Sequence, residues 1–591
     1  MLRILCMKNI CKISFKCKQK LLEQIRKADI ISFDIFDTLL LRPFVHPFDV
    51  FGYLEYFYEL DGYRNARIVA ETLARQHYTE KQEITIDNIY EFVPENFQFI
   101  KQSEIEFEAN ILFANSEMLE IFNYAKEQNK IIIITSDMYL PKNMLEQTLI
   151  KNGFTGYHKI FISSDIGYRK SDGKLFEYIK KYLPSKNILH IGDNCYSDVK
   201  VPRQLGLKAF HYPSVTNSFF QQNNQYKKIY DHANNCIISL VIGLYIIRQH
   251  NHKESSYWQY LGYSLGGLFV YAYTKFIVNT LQKEKASDVL FIARDGYVLN
   301  KAFELLISTT SIKNHYVYAP RFVRIIGLQQ GLNNADYYSF FLHQIISLYP
   351  ELKNILPRRI DNHELHYILK NNKIIAYCNT IKNEYANYLK TVTLSGSNVY
   401  SVDLGSNSAS GQKILSYFLN DKIKSGFYWT LNPQANVPHF CYDTSKVPFI
   451  FEEIIEFLIT APECPVIGFN NAFPQLKEAT EQDKTNIQYI DILSKAEINF
   501  VKDINDVLGK FSKQIKAEYV IQYANLFFEY LPKKDIAHFD EIYWFYSPDN
   551  RESVRFGDIL RNKYSQNIIN APKGEPIYFR LFNALRHIFH K

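Results

Sequence analysis

Short apolar runs that break off on an acid or a hydroxyl constrain this chain more than any other feature. Residues 30–33, I-I-S-F, stop on Asp34, with Thr38 four residues further on. Residues 131–134 are four isoleucines that run into Thr135, Ser136 and Asp137. Residues 188–192, I-L-H-I-G, lead to Asp193 and Asp198, and before them R-K-S-D-G-K-L-F carries Lys170. Apolar runs of this length without alternation mark strands buried on both faces. The stretches between them place apolar residues at three-and-four spacing, as helices do. Strands separated in this way form a parallel sheet with right-handed crossovers. The predicted strands are 28–34, 130–135, 159–163, 188–191 and 208–212, and the helical stretch 43–126 reads as an insertion behind the first.

A chain of 591 residues exceeds what one hydrophobic core holds. The expected organisation is a basic N-terminal helix (1–28), an α/β core (29–212), a linker and helix (213–256), a second α/β domain (257–470) and a helical C-terminal region (471–591). The Asn/Gln/Ser-rich residues 213–235 suggest the linker. A hydrophobic content of 47% with 22% charged residues describes a soluble globular protein, and a net charge of +7 over this length gives no argument for nucleic acid. The eight cysteines form no C-x-x-C pair, so neither a zinc site nor a disulfide framework is indicated, and a reducing cytoplasm is the expected location. Lysines interrupt the first 20 residues, which makes them a poor secretory signal. The longest apolar run, Cys236–Ile247, has 12 residues against the roughly 20 a bilayer span needs, and reads as a buried helix. The basic amphipathic tail Tyr578–Lys591 reads as a solvated helix end, with a peripheral membrane contact as the alternative.

Side chains at the carboxyl ends of parallel strands converge on a crevice where ligands bind. Asp34 is the candidate nucleophile there. Attack by a carboxylate on a phosphate needs charge neutralisation, which a Mg²⁺ held by Asp34, Asp193 and Asp198 would supply. Lys170 adds a second cation and is expected to hold Asp34 ionised. Ser136 or Thr135 would donate a hydrogen bond to a substrate oxygen. His190 reads as a satisfied core histidine, and Cys195 as a small filler. Among residues of the helical insertion, Arg64, Arg67 and Arg75 read as a solvated face, with substrate contact as the alternative, and Glu104 and Glu108 read as surface charge.

Over residues 28–212 these motifs resemble the haloacid dehalogenase (HAD) superfamily. The resemblance implies a Rossmann-like core with a helical C1 cap and a Mg²⁺-dependent aspartyl intermediate. It makes Asp34 the nucleophile, Ser136 the second-motif hydroxyl, Lys170 the third-motif cation, and Asp193 and Asp198 the acidic pair. The main-chain carbonyl of Phe36 would join Asp34, Asp193 and Asp198 around the metal. One departure matters: phosphatases of the superfamily carry a general acid two residues after the nucleophile, where this chain has Phe36. The next acid is Asp37; either Asp37 or a cap residue carries that proton transfer, or the leaving group needs no proton.

In the second half, the segment D-V-L-F-I-A-R-D-G ends a predicted strand on Arg294 and Asp295, and Asp403 ends another before G-S-N-S-A-S-G. Arg321 and Arg324 lie between them. Together these residues mark a candidate second site. The whole chain is similar to long bacterial predicted HAD hydrolases that combine F-D-x-F-D-T-L-L with a downstream R-D-G and an A-P-E segment, here Ala461–Glu463. Such proteins often accompany surface-polysaccharide genes, which implies sugar phosphates or nucleotide sugars as substrates and polysaccharide-assembly partners. The expected function is therefore a phosphatase for a small phosphorylated metabolite. The alternatives are a transferase or binding protein acting through its second domain, and a carbon–halogen hydrolase.

Overall fold

The computed structural model describes residues 12–79, 83–184, 187–252, 256–307, 311–329, 346, 367–406, 409–420, 422–445, 452–545 and 553–565. The tail Tyr578–Lys591 and the side chain of Arg321 lie outside the described residues. The chain divides into two compact units, Met1–Tyr530 and Leu531–Lys591.

Two parallel five-stranded sheets organise the larger unit. The first contains β1 (Ile30–Phe33), β2 (Ile131–Ser136), β3 (Lys159–Ile162), β4 (Ile188–Gly192) and β5 (Lys208–His211). Their spatial order is β3-β2-β1-β4-β5, with Ile30 in register with both Ile131 and Ile188. This is the Rossmann-like order, and the winding direction reverses at β1 and β4. All four residues of β1 are buried, which is why an uninterrupted apolar run encodes it. Ile30, Ile133, Phe161 and Ile188 join Phe176 and Ile179 in a core beneath the sheet.

The insertion leaves and re-enters the sheet through an antiparallel pair, Leu40–Leu41 against Phe113–Ala114. It holds helices α1 (Asp49–Tyr58), α2 (Tyr63–His77) and α3 (Lys101–Ile111). Later parts of the chain fasten it. The hydroxyl of Tyr53 donates to the carbonyl of Phe511 at 2.9 Å, and Asn110 Nδ2 donates to the carbonyl of Val507. Ser239 Oγ accepts from the Val45 amide at 2.9 Å and donates to Asp49 at 2.6 Å. Ser239 belongs to α4 (Cys236–Asn251), which is buried along most of its length. Gly243 of α4 lies against the backbone of Pro43, and a Cβ there would collide with it. Residues 215–233 form two short helices, Val215–Gln222 and Asn224–Ala233.

The second sheet contains β6 (Asp288–Ile292), β7 (Lys313–Val317), β8 (Val399–Val402), β9 (Ile423–Tyr428) and β10 (His439–Cys441). Its order is β7-β6-β8-β9-β10. Helices α5 (Gly267–Lys283) and α6 (Glu481–Leu508) pack together closely, and Gly267 leaves room for the Phe500 side chain. Among the described residues no helix is long and apolar enough to cross a membrane. The smaller unit carries a short antiparallel pair, Tyr543–Phe545 with Ser553–Arg555, and the helix Phe556–Ser565.

Candidate active site

The carboxyl ends of β1, β2 and β4 bring the first-half candidates together. Asp34 directly follows β1 and is 5% exposed, with its amide donating to the carbonyl of Ile191 at 2.9 Å. Lys170 reaches in after β3, and its Nζ donates to Asp34 Oδ1 and to Asp198 Oδ1, both at 2.6 Å. Asp34, Asp193 and Asp198 offer carboxylate oxygens that lie within 4.8 Å of one another, so this trio could hold a metal ion. Hard oxygen donors of this kind suit a divalent cation such as Mg²⁺ or Ca²⁺. Gly192 is required beneath this cluster, because a Cβ there would lie 2.5 Å from Asp198 Cγ.

A hydrogen-bonded row runs below the acids. Thr135 Oγ1 and Ser32 Oγ are 2.9 Å apart, Ser32 Oγ lies 2.8 Å from His190 Nδ1, and His190 Nε2 lies 3.1 Å from Asp198 Oδ1. Burial lowers the His190 pKa and favours the neutral ring, which can then donate through one nitrogen only. With Nε2 donating to Asp198, Nδ1 accepts from Ser32. Thr135 is thereby committed to this row. Ser136 makes no side-chain hydrogen bond among the described residues.

Charge balance in the cluster is uneven. Burial raises Asp34 to about 7, more than Lys170 lowers it, with Asp198 adding to the rise. Burial and the neighbouring Asp34, Asp37 and Asp198 raise Asp193 to about 8. Burial also opposes the Asp198 carboxylate, but Lys170 and His190 outweigh it and hold this group well below the usual range. Burial opposes the Lys170 charge too, and Asp198, Asp34 and Asp137 more than restore it. Lys170 Nζ thus stands equally close to Asp34 and Asp198, and the cluster has more acid than one ammonium offsets. That excess is what a divalent cation between Asp34, Asp193 and Asp198 would neutralise.

Asp37 sits in the turn after β1 with φ 55°, a conformation that aspartate tolerates better than bulky residues. Burial raises its pKa and Arg42 opposes the rise. Phe36 and Asp37 are both half-buried.

Several residues fall elsewhere than their sequence context suggests. Arg67 and Glu104 are not surface charges; both are fully buried and paired at 2.7 Å, and Tyr63 and Tyr90 donate to the same carboxylate at 2.9 and 2.7 Å. Glu108 is 2% exposed and pairs with Arg42 at 3.0 Å. Arg64 lies 3.4 Å from Asp49. Cys195 is exposed rather than a filler, with Sγ 3.2 Å from His211 Nε2.

Sequence reasoning did not single out Asp137 or Arg169. Asp137 accepts the Lys170 amide at 2.8 Å. With Arg75, Glu83, Tyr139, Arg169 and Ser171 it lines a cavity of about 350 Å³ where the insertion meets the sheet end. Asp137 follows Ser136 directly, so its place in the same strand-end segment was a readable signal. Arg294, Asp295 and Asp403 lie on the second sheet, at the ends of β6 and β8.

No family model and no curated protein matches this sequence. Among solved structures, a hydrolase from Streptococcus pneumoniae TIGR4 is similar to 33% of this chain over 99% of its own length, at 14% identity and a TM-score of 0.23. A likeness of that size carries no argument about the activity of this chain.

Proposed function

We propose that the first sheet carries a Mg²⁺-dependent phosphatase of the HAD type, acting on a small phosphorylated metabolite such as a sugar phosphate or a nucleotide-sugar relative. The observation that carries this reading is Lys170 Nζ at 2.6 Å from both Asp34 and Asp198, with Asp193 beside them, where the winding of the sheet reverses.

In this reading Asp34 attacks phosphorus, forming a phospho-aspartyl intermediate as the ester oxygen departs. Lys170 and the Ser136 hydroxyl stabilise the phosphoryl oxygens. Asp37, whose pKa burial raises, protonates the leaving oxygen and then takes a proton from the water that releases phosphate. Mg²⁺ held by Asp34, Asp193, Asp198 and the Phe36 main-chain carbonyl would supply charge neutralisation. The cavity next to Asp137 would receive the leaving group. All six described free cysteines suit a reducing, cytoplasmic setting.

Phosphate release from a panel of sugar phosphates and nucleotides, with and without Mg²⁺, tests the proposal in wild type and Asp34→Asn. Mg²⁺-dependent release that falls at least about 1,000-fold in Asp34→Asn supports it. Absence of release from every compound refutes it and shifts attention to the second sheet.

A further inference from the structure

The second sheet has its own reversal of winding, between β6 and β8. Open α/β sheets bind ligands outside the carboxyl ends of the strands at such a point. Arg294 and Asp295 follow β6, and Asp403 follows β8. The Nε of Arg294 donates to Thr460 Oγ1 at 3.3 Å, and Thr460 is 2% exposed. The two terminal nitrogens of the same guanidinium have no hydrogen-bond or ion-pair partner among the described residues. Tyr316 and Tyr318 both donate to Glu463, at 2.7 and 3.0 Å, which commits that carboxylate and leaves the phenolic oxygens able to accept. One oxygen of Asp403 accepts the Leu404 amide at 3.0 Å. The other has no hydrogen-bond partner among the described residues and lies 3.7 Å from where a Cβ of Gly411 would stand.

We propose that this crevice binds a sugar bearing one anionic group, with Arg294 holding the anion and Asp403 accepting from the sugar hydroxyls. A planar guanidinium with both ends unused matches a phosphate or carboxylate in fork geometry. Asp403 and the two phenolic oxygens offer acceptors. They call for a ligand rich in hydroxyl donors, which an acidic sugar supplies and inorganic phosphate does not. Burial raises Asp403 to about 7, with Asp295 adding to the rise and Arg324 opposing it.

Calorimetric titration of the full chain in EDTA tests the proposal, with glucose 6-phosphate, glucuronate, glucose and inorganic phosphate as probes. At least one of the two acidic sugars is expected to bind wild type and Asp34→Asn equally, and at least tenfold more tightly than glucose or inorganic phosphate. Arg294→Gln and Asp403→Asn should each weaken that binding at least tenfold. The preferred acidic sugar identifies the anion as phosphate or carboxylate. Binding lost in Asp34→Asn but kept in Arg294→Gln would place the ligand on the first sheet and overturn the proposal. Failure of both acidic sugars to bind, or equal binding of inorganic phosphate, would overturn it too. If Arg294→Gln does not fold, the isosteric Asp403→Asn decides.

Discussion

The guanidinium of Arg42 lies 4.2 Å from the centre of the Phe36 ring. Glu108 holds that guanidinium in place at 3.0 Å. Phe36 is therefore built into a cation–aromatic stack, and on the proposed phosphatase reading Asp37 is the acid left beside the cluster. Asp37→Asn should lower kcat by about 10²–10⁴-fold on alkyl phosphates. It should lower kcat less than about tenfold on p-nitrophenyl phosphate, whose leaving group needs little protonation. Equal losses on the two substrates would remove Asp37 from the acid role. Phe36→Asp should not rescue Asp37→Asn, since Arg42 would pair with the new carboxylate.

Lys170 is 3% exposed and bridges two buried acids, so its removal strands both. Lys170→Met should cost about 3–5 kcal/mol in urea unfolding in EDTA. Adding Asp198→Asn should recover part of that cost, because the two changes touch one network. Strict additivity of the two variants would contradict the bridging role.

Arg67 and Glu104 make the same kind of demand inside the insertion, where both are 0% exposed. Glu104→Gln or Arg67→Ala should each destabilise by about 3–5 kcal/mol, since each leaves a charge buried without its partner. Arg67→Met combined with Glu104→Leu should cost less than either. Thermal unfolding of the three variants checks the order, and a double variant worse than both singles would contradict it.

Glu497 of α6 is fully buried, and neither carboxylate oxygen has a hydrogen-bond partner among the described residues. Burial raises its pKa well above the usual value, so the folded chain holds it protonated. The unfolded chain ionises it above about pH 4.3. Its neutral form is therefore tolerated at low pH, and stability is lost as pH rises above that value, by up to about 1.4 kcal/mol per unit. Glu497→Gln should melt higher than wild type at pH 8, with the difference shrinking toward pH 4.5. A difference that does not change with pH would contradict the buried neutral acid.

The first sheet was readable because its strands are buried on both faces and state this in plain apolar runs. Residues 130–135 and 188–191 were predicted, and the strands span Ile131–Ser136 and Ile188–Gly192. In the second sheet β6 and β8 were readable for the same reason. Strand β7, K-N-H-Y-V, was not: it lies at the edge, mostly unburied, and its polar residues hide it. The bridging Lys170 was legible from motif order, whereas the Arg42–Phe36 stack was not, since no local pattern ties an arginine to a ring six residues earlier. Arg67 and Glu104 read as surface charges on separate helices because their pairing exists only through space.

The bond from Tyr53 to the carbonyl of Phe511 joins residues 458 positions apart. A ribosome adding about 5–20 residues per second needs roughly 20–90 s to cross that distance. Phe511 also packs against Phe57 and Phe107 at 5.4 and 5.0 Å, so the aromatic underside of the insertion stays bare through that interval. A newborn chain thus carries Asp34 and Lys170 long before the contacts that fasten the insertion can form.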